Sequence, residues 1–347
     1  MKWQDASARN ESSEGERPSI GVTLLTGFLG SGKTTLLNHL LKDPTLTDTA
    51  VIINEFGDIA IDHMLVESSI ENAVVLQNGC ICCTVRGDLV DTLTDLFAKR
   101  ERGLVPQFTR VAIETTGLAD PSPIIRTFTS EKLVRERFHL EAVVATVDCV
   151  NGQQQLVDFE EARRQVALAD VLILTKSDIA PPQASRALAS SIGDINPAAT
   201  VLTVTNGQLS ASELADAVPP RPTSTETVSR WLKAEAFDQP AAGASNHRGE
   251  ISTFSIVVDE PLTMEALRRW LASITSLRGA DLLRMKGLIA ISGQSGPMVV
   301  HAVQHVVHPP VQLQQWPTDD KRTKIVFITR NLPQEGLRRS FLALTGG

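Results

Sequence analysis

Val22-Thr-Leu-Leu-Thr-Gly-Phe-Leu-Gly-Ser-Gly-Lys-Thr34 decides the fold. The apolar run Val22–Thr26 has the length and residue types of a buried strand. After it, Gly27-x-x-x-x-Gly32-Lys33-Thr34 satisfies the full phosphate-loop pattern, and the stretch Thr35–Leu41 has the composition of a helix. Glycines let backbone N–H groups turn inward around phosphates, at the positive end of the helix dipole. The expected nucleotide contacts are Gly27, Gly30, Ser31, Gly32, Lys33, Thr34 and Thr35. Lys33 is expected to reach the β- and γ-phosphates and the Thr34 hydroxyl to ligate Mg²⁺.

Outward from this loop, short apolar runs alternate with helix-length amphipathic stretches as far as Ala217. The runs are Val22–Thr26, Ala50–Ile53, Ala73–Leu76, Val111–Ile113, Ala142–Val147, Val171–Leu174 and Val201–Val204. Helices are expected at Thr34–Leu41, Asp88–Arg102, Gln154–Leu168 and Gln183–Ser191. This rhythm predicts an α/β fold: a mostly parallel sheet with helices on both faces and ligands at the carboxyl ends of its strands. Pro, Ala, Gly, Ser and Asn dominate Phe237–Glu250, which reads as a linker. Beyond it, strands are expected at Ile251–Val258, Leu283–Ile291, Met298–Val306 and Lys324–Ile328, with helices at Met264–Ile274 and Pro333–Leu342. The predicted organisation is a disordered leader (1–18), a phosphate-loop domain (19–236), a linker (237–250) and a smaller α+β domain (251–347).

Composition narrows the function. The 347 residues are 42% apolar and 21% charged, with a formal net charge of −7 and no Lys/Arg-rich block, so nucleic acid is not an expected partner. No apolar run approaches membrane-spanning length, and Met1–Pro18 has no apolar signal core. A cytoplasmic protein with no membrane partner is expected. Three of the four cysteines fall in Cys80-Ile-Cys82-Cys83, directly after a strand. In a reducing compartment such a cluster points to metal binding or redox chemistry rather than a disulfide framework. Thiolates select Zn²⁺, Cu⁺ and iron–sulfur clusters over hard cations, and three sulfurs leave a fourth position open, as suits a site that releases its metal. Cys149, alone at the end of an apolar run, reads as a core residue. His301 and His305 lie four apart in a strand-like run, about 13 Å, too far for one ion, and read as structural. Glu55 and His63 are further candidates near the cysteine loop.

Two more elements concern the nucleotide. Val111-Ala-Ile-Glu-Thr-Thr-Gly117 is an apolar strand ending in a carboxylate, with glycine three positions later. Glu114 there can hold Mg²⁺ through water or orient the attacking water, and Gly117 lets backbone approach the γ-phosphate. Thr175-Lys-Ser-Asp178 resembles the guanine-reading Asn-Lys-x-Asp element. The Asp178 carboxylate can accept from N1–H and the exocyclic amine of guanine, a donor pair adenine lacks. The Lys176 stem can cover the base, and Asn206, after the next strand, is a further candidate contact. Thr175 in place of Asn removes an amide expected to fix the loop.

Taken together, the Gly27–Thr35 loop, Asn54-Glu-Phe-Gly57, the cysteine triplet and Glu114-Thr-Thr-Gly-Leu-Ala-Asp-Pro121 resemble the CobW-type GTPases. Leu283-Arg-Met-Lys-Gly287, Val303-Gln-His305 and Trp316-Pro317 resemble that family's C-terminal domain. The resemblance implies metal-responsive GTP hydrolysis, with Lys33, Thr34 and Glu114 as the hydrolytic residues and Asp178 reading guanine. It implies Cys80, Cys82 and Cys83 as a metal site, most often for Zn²⁺ and in some members cobalt, and delivery to a client apo-metalloprotein. It also implies pairing of two copies across nucleotide. Its members' roles include zinc allocation, cobalt in cobalamin synthesis and nitrile hydratase activation. Many relatives carry a His-rich segment between domains, whereas Phe237–Glu250 holds only His247. Read from the residues alone, a phosphate-loop kinase with a redox or structural cysteine cluster stands as the alternative.

Overall fold

A computed structural model of the chain describes residues 19–43, 46, 48–53, 75–77, 86–218 and 251–345. Seven strands form one sheet: β1 (Ile20–Gly27), β2 (Thr49–Ile53), β3 (Val75–Gln77), β4 (Arg110–Glu114), β5 (Phe138–Asp148), β6 (Val171–Thr175) and β7 (Thr200–Thr203). Their order is β3-β2-β4-β1-β5-β6-β7 and every pairing is parallel. The connecting helices are α1 (Lys33–Leu40), α2 (Arg86–Glu101), α3 (Ser122–Ser130), α4 (Lys132–Arg137), α5 (Gly152–Asp158), α6 (Glu160–Leu168), α7 (Pro182–Ile195) and α8 (Ala211–Ala217). Successive strand residues face opposite ways, and the cores follow that alternation. Ile52 joins the core beneath α2, α3 and α4, whereas Val51 and Ile53 join the one beneath α1. On β6, Val171 and Ile173 face α1, and Leu172 and Leu174 face α5, α6 and α7. This two-sided burial is why the strands read as continuous apolar runs.

The single helix expected over Gln154–Leu168 is two, α5 and α6. Phe159 between them is extended, with φ −121° and ψ 123°. Its ring lies against Phe28 of the phosphate loop, with centroids 4.6 Å apart. Arg163 Nη1 donates to the carbonyls of Leu156 and Val157 at 2.7 and 2.9 Å, satisfying groups that the break leaves open.

The second sheet comprises β8 (Ile251–Val258), β9 (Leu282–Ile289), β10 (Met298–Val303), β11 (Val306–Val307), β12 (Val311–Gln312) and β13 (Thr323–Arg330). It runs β11-β10-β9-β13-β8, with β12 also on β10, and is antiparallel throughout. The strand expected over Met298–Val306 turns back on itself at Gln304, whose φ is 52°. Helices α9 (Met264–Arg278) and α10 (Gln334–Thr345) cover one face through Trp270 and Phe341, against Met285 and Phe327. Thr263 caps α9 by accepting from Ala266 N at 3.1 Å, a contact worth about 1 kcal/mol.

The other face of this sheet meets the nucleotide domain. Leu283, Val303 and Ile328 join the core under α2, α3 and α4. Arg284 pairs with Asp170 and donates to Leu168 O at 2.9 Å. Lys286 Nζ donates to Ala198 O at 2.9 Å, and Thr253 Oγ1 to Ile195 O at 2.7 Å. The leader (1–18) and the linker (237–250) lie outside the described residues. No helix among the described residues is long and apolar enough to cross a membrane.

Candidate nucleotide site

The strand order puts β1 between β4 and β5, and their carboxyl ends meet the loop that follows β1. Gly27 has φ 141°, and a Cβ there would collide with Thr146 on β5, so a side chain is excluded twice. Gly30 and Gly32 also take positive φ, 68° and 90°. Gly32 is the N-cap of α1 and supplies no side-chain acceptor to the helix's first N–H groups. Those groups and the dipole face the loop's interior, the arrangement that holds phosphate. Lys33, largely buried, folds back over the loop, its Nζ donating to Gly27 O and Phe28 O at 3.0 and 3.2 Å.

Thr34 Oγ1 donates to Glu114 Oε1 at 2.6 Å, joining the start of α1 to the end of β4 across 80 residues. Glu114 is only 2% exposed. A buried carboxylate beside a hydroxyl is a pair of hard oxygen donors, of the kind Mg²⁺ takes, so these residues fit that ion. Gly117 lies hard against the phosphate loop: a Cβ on it would stand 2.6 Å from Leu29 N. Ser31 is turned into the fold instead. Its Oγ pairs with Thr146 Oγ1 at 2.6 Å and its N–H donates to Phe28 O at 3.1 Å, so it braces the loop. Thr35 is exposed on α1 and lies beside Gly207.

The segment after β6 is anchored by the residue that departs from the Asn-Lys-x-Asp pattern. Thr175 Oγ1 donates to Ser31 O at 2.7 Å and also approaches Val147 O at 3.3 Å. The hydroxyl ties the segment after β6 to the phosphate loop, so loss of the amide does not leave the segment unfixed. Lys176 takes φ 57° and its Nζ pairs with Asp148 Oδ2 at 2.8 Å. Asp148 also accepts from Asn151 Nδ2 at 3.0 Å and Val150 N at 2.7 Å. Burial pushes the Asp148 carboxyl up, but Lys176, Asn151 and the Val150 N–H outweigh it and hold it below the usual carboxylate range. Asn206, at φ 52°, turns its N–H to Asp178 Oδ1 at 3.5 Å.

Sequence reading missed Thr146, Asp148 and Gln165. Thr146 and Asp148 end β5 on the ligand edge, and polar residues in an otherwise apolar strand were the available signal. Gln165, inside a helical stretch, gave none. Cys80, Cys82 and Cys83 lie outside the described residues, as do Glu55 and His63. The cysteine segment is bracketed by β3, ending at Gln77, and α2, starting at Arg86. Among the described residues no group of three or more His, Cys, Asp or Glu is placed to hold a metal ion. His301 lies at the junction of the two sheets, 3.2 Å from Arg284 Nη2, and His305 Nδ1 lies 2.8 Å from Thr275 O. Cys149 is buried in the core of α5, α6 and α7.

Comparison with known proteins covers both sheets. Residues 21–203 match the family model described as CobW/HypB/UreG, nucleotide-binding domain. Residues 251–345 match that of the cobalamin synthesis protein cobW C-terminal domain. The chain is similar to the zinc chaperone YjiA of Escherichia coli K12, at 34% identity over 94% of this chain and 98% of the relative. It is similar to the zinc chaperone CobW of a Sinorhizobium species, at 26% identity over 94% and 97%. Its fold resembles the crystal structure of Zn(II)-bound YjiA GTPase from E. coli, with TM-score 0.67 and 30% identity over 94% of this chain and 99% of that one.

Proposed function

This chain belongs to the CobW/HypB/UreG family of P-loop GTPases, and from that membership we propose that it is a GTP-driven zinc carrier. In this reading Cys80, Cys82 and Cys83 bind zinc as cargo, and the protein hands it to a client apo-metalloprotein in the cytoplasm. Zinc is preferred to cobalt because three thiolates suit it and because relatives matched over nearly their whole length are zinc chaperones.

The observation that carries the proposal is the Thr34–Glu114 contact on an edge that β3 shares. Lys33 is placed to withdraw from Gly27 O and Phe28 O onto the phosphates, gaining a charge-assisted partner for two neutral ones. Thr34 and Glu114 would hold Mg²⁺, which would supply positive charge against the phosphates. Glu114 orients the attacking water from the floor of the site, where its burial keeps competing solvent away. Gly117 brings backbone to the γ-phosphate, and Asp178, with Lys176 and Asn206, reads guanine. In the sheet, β3 stands two strands from β4, about 10 Å at ordinary strand spacing. Gln77, the last residue of β3, is level with Glu114 through Ile53, and Cys80 follows three positions later, which supports coupling between the two.

If GTP tightens zinc binding, zinc must tighten GTP binding by the same factor. The test is zinc affinity by competition with GTP, with GDP and without nucleotide, together with phosphate release. Tighter zinc binding with GTP, and turnover abolished by Glu114→Ala with zinc binding retained, is the expected result. Equal zinc affinity in all three states would refute the carrier, and transfer of phosphate to an acceptor without release would refute the hydrolase.

A further inference from the structure

The loop 115–121 between β4 and α3 carries Gly117 and touches the phosphate loop. Its local bonds are Ala119 N to Thr116 O at 3.1 Å and, where it enters α3, Ser122 N to Asp120 Oδ1 at 2.9 Å and Ile125 N to Pro121 O at 3.0 Å. Thr115 is tied to β1 through its N–H to Leu25 O and its Oγ1 to Thr26 Oγ1. The carbonyls of Gly117 and Ala119 are met by a side chain from elsewhere. Gln165 on α6 is 1% exposed, and its Nε2 donates to both Gly117 O and Ala119 O at 3.2 Å. Its neighbour Arg164 donates from Nη1 to Asp120 Oδ2 at 2.5 Å. From the second sheet, Gln304 donates from Nε2 to Ser122 Oγ at 2.6 Å, and that hydroxyl donates to Asp120 Oδ1. Gln304 is 3% exposed and reaches across because its φ of 52° makes the turn between β10 and β11.

Asn196 and Gln312 likewise donate only to carbonyls, but what sets Gln165 apart is that its carbonyls belong to the loop lying against the phosphate loop. Both acceptors of Gln165 are carbonyl oxygens, so only an NH₂ end serves them. Its own Oε1 is buried and accepts from none of the described residues. An unmet buried oxygen is costly. A planar trans peptide fixes the N–H opposite each held carbonyl. Gripping Gly117 O thus also sets the direction of the Leu118 N–H.

We propose that Gln165 and Gln304 are positioning residues for GTP hydrolysis. Gln165 fixes loop 115–121 against the phosphate loop from within the nucleotide domain. Gln304 fixes the loop's far end from the C-terminal domain, which thereby acts on turnover through a side-chain contact. The proposal rests on the reading that the chain hydrolyses GTP with Gly117 facing the γ-phosphate. Donors to the transition state work by being preorganised, and a displacement of about 1 Å costs roughly a hundredfold in rate. GDP lacks the γ-phosphate, so its affinity depends on this loop less than turnover does.

The test uses the full chain, comparing wild type with Gln165→Met, Gln165→Glu and Gln304→Asn. The last keeps a residue that tolerates positive φ while shortening its reach. Steady-state phosphate release and GDP affinity are measured for each. Gln165→Met is expected to lower kcat by about ten- to a hundredfold, with GDP affinity within about twofold. Gln165→Glu is expected to lower it further, since an oxygen then faces two carbonyls. Gln304→Asn should lower kcat by roughly two- to thirtyfold. Unchanged kcat in Gln165→Met, or GDP affinity falling in step with kcat, overturns the proposal. If the Gln165 variants do not fold, Gln304→Asn decides alone, and unchanged turnover there overturns it. Wild-type protein that releases no phosphate from GTP would instead refute the hydrolase reading on which the proposal stands.

Discussion

Arg284→Met is expected to loosen the junction of the two sheets, by an amount set by what it leaves behind. The Arg284 and Asp170 side chains are 1% and 6% exposed, so the pair is shielded from water. Once the guanidinium is gone, Asp170 Oδ2 keeps the Val143 N–H at 2.9 Å, but Oδ1 loses its charged partner. Leu168 O loses its donor as well. Lys286, with its Nζ on Ala198 O, still favours the Asp170 charge through space, and His301 Nε2 is 4.0 Å from Oδ1. Breaking a buried pair from one side costs about 3–5 kcal/mol when the remaining charge is uncompensated, so with Lys286 in place the loss falls at the lower end of that range. Against a total stability of about 5–15 kcal/mol, that is a large fraction. The mechanism makes a sharper claim about the double variant. Asp170→Asn keeps an acceptor for Val143 N–H and removes the charge, so Asp170→Asn/Arg284→Met should recover about 1–3 kcal/mol relative to Arg284→Met. Urea unfolding followed by Trp270 fluorescence measures both, since that indole is fully buried beneath α10. A single variant costing under about 1 kcal/mol, or a double variant less stable than the single, would refute the account.

Acid should weaken the same junction well above the range where carboxylates titrate. His301 is held well below its usual 6.5 by burial and by the neighbouring His308, Arg284 and Lys286. The unfolded chain therefore binds a proton that the folded chain refuses, and stability falls as pH drops below about 6.5, by at most about 1.4 kcal/mol per unit. Tm measured from pH 7.5 to 5.5 should fall less steeply in His301→Gln. Asp170, where Arg284 and Lys286 outweigh the upward push of burial, has a lowered pKa and adds a second loss only below about pH 4. Thr175→Val removes the hydroxyl that meets Ser31 O and Val147 O without changing side-chain shape. It should cost about 1–3 kcal/mol and weaken GDP binding, read by calorimetry; unchanged binding would show that Thr175 does not couple base to phosphate loop.

The central strands β1, β2, β5 and β6 were legible because a strand buried on both faces leaves a nearly unbroken run of apolar residues. The phosphate loop was legible because its glycines and Lys33-Thr34 sit at fixed local spacing. The helix over Gln154–Leu168 was misjudged because the break at Phe159 goes with a ring contact to Phe28, more than a hundred positions away. The strand over Met298–Val306 was misjudged for a similar reason, since Gln304 sits in a left-handed turn from which it reaches Ser122. Thr175 shows the converse: the substitution was visible, but its consequence depended on where Ser31 O lies.

By itself the sequence determined the strands of the first sheet, the nucleotide cradle and the cysteine triplet, since each is a pattern of chain neighbours. Only the tertiary structure decided that Thr34 meets Glu114, that Asp148 holds Lys176, that Gln165 and Gln304 grip one loop, and that Arg284 crosses to Asp170. Those contacts span 28 to 182 residues of chain. A hydrogen bond acts over about 3 Å, so which donors reach which acceptors is settled only once the sheets have formed.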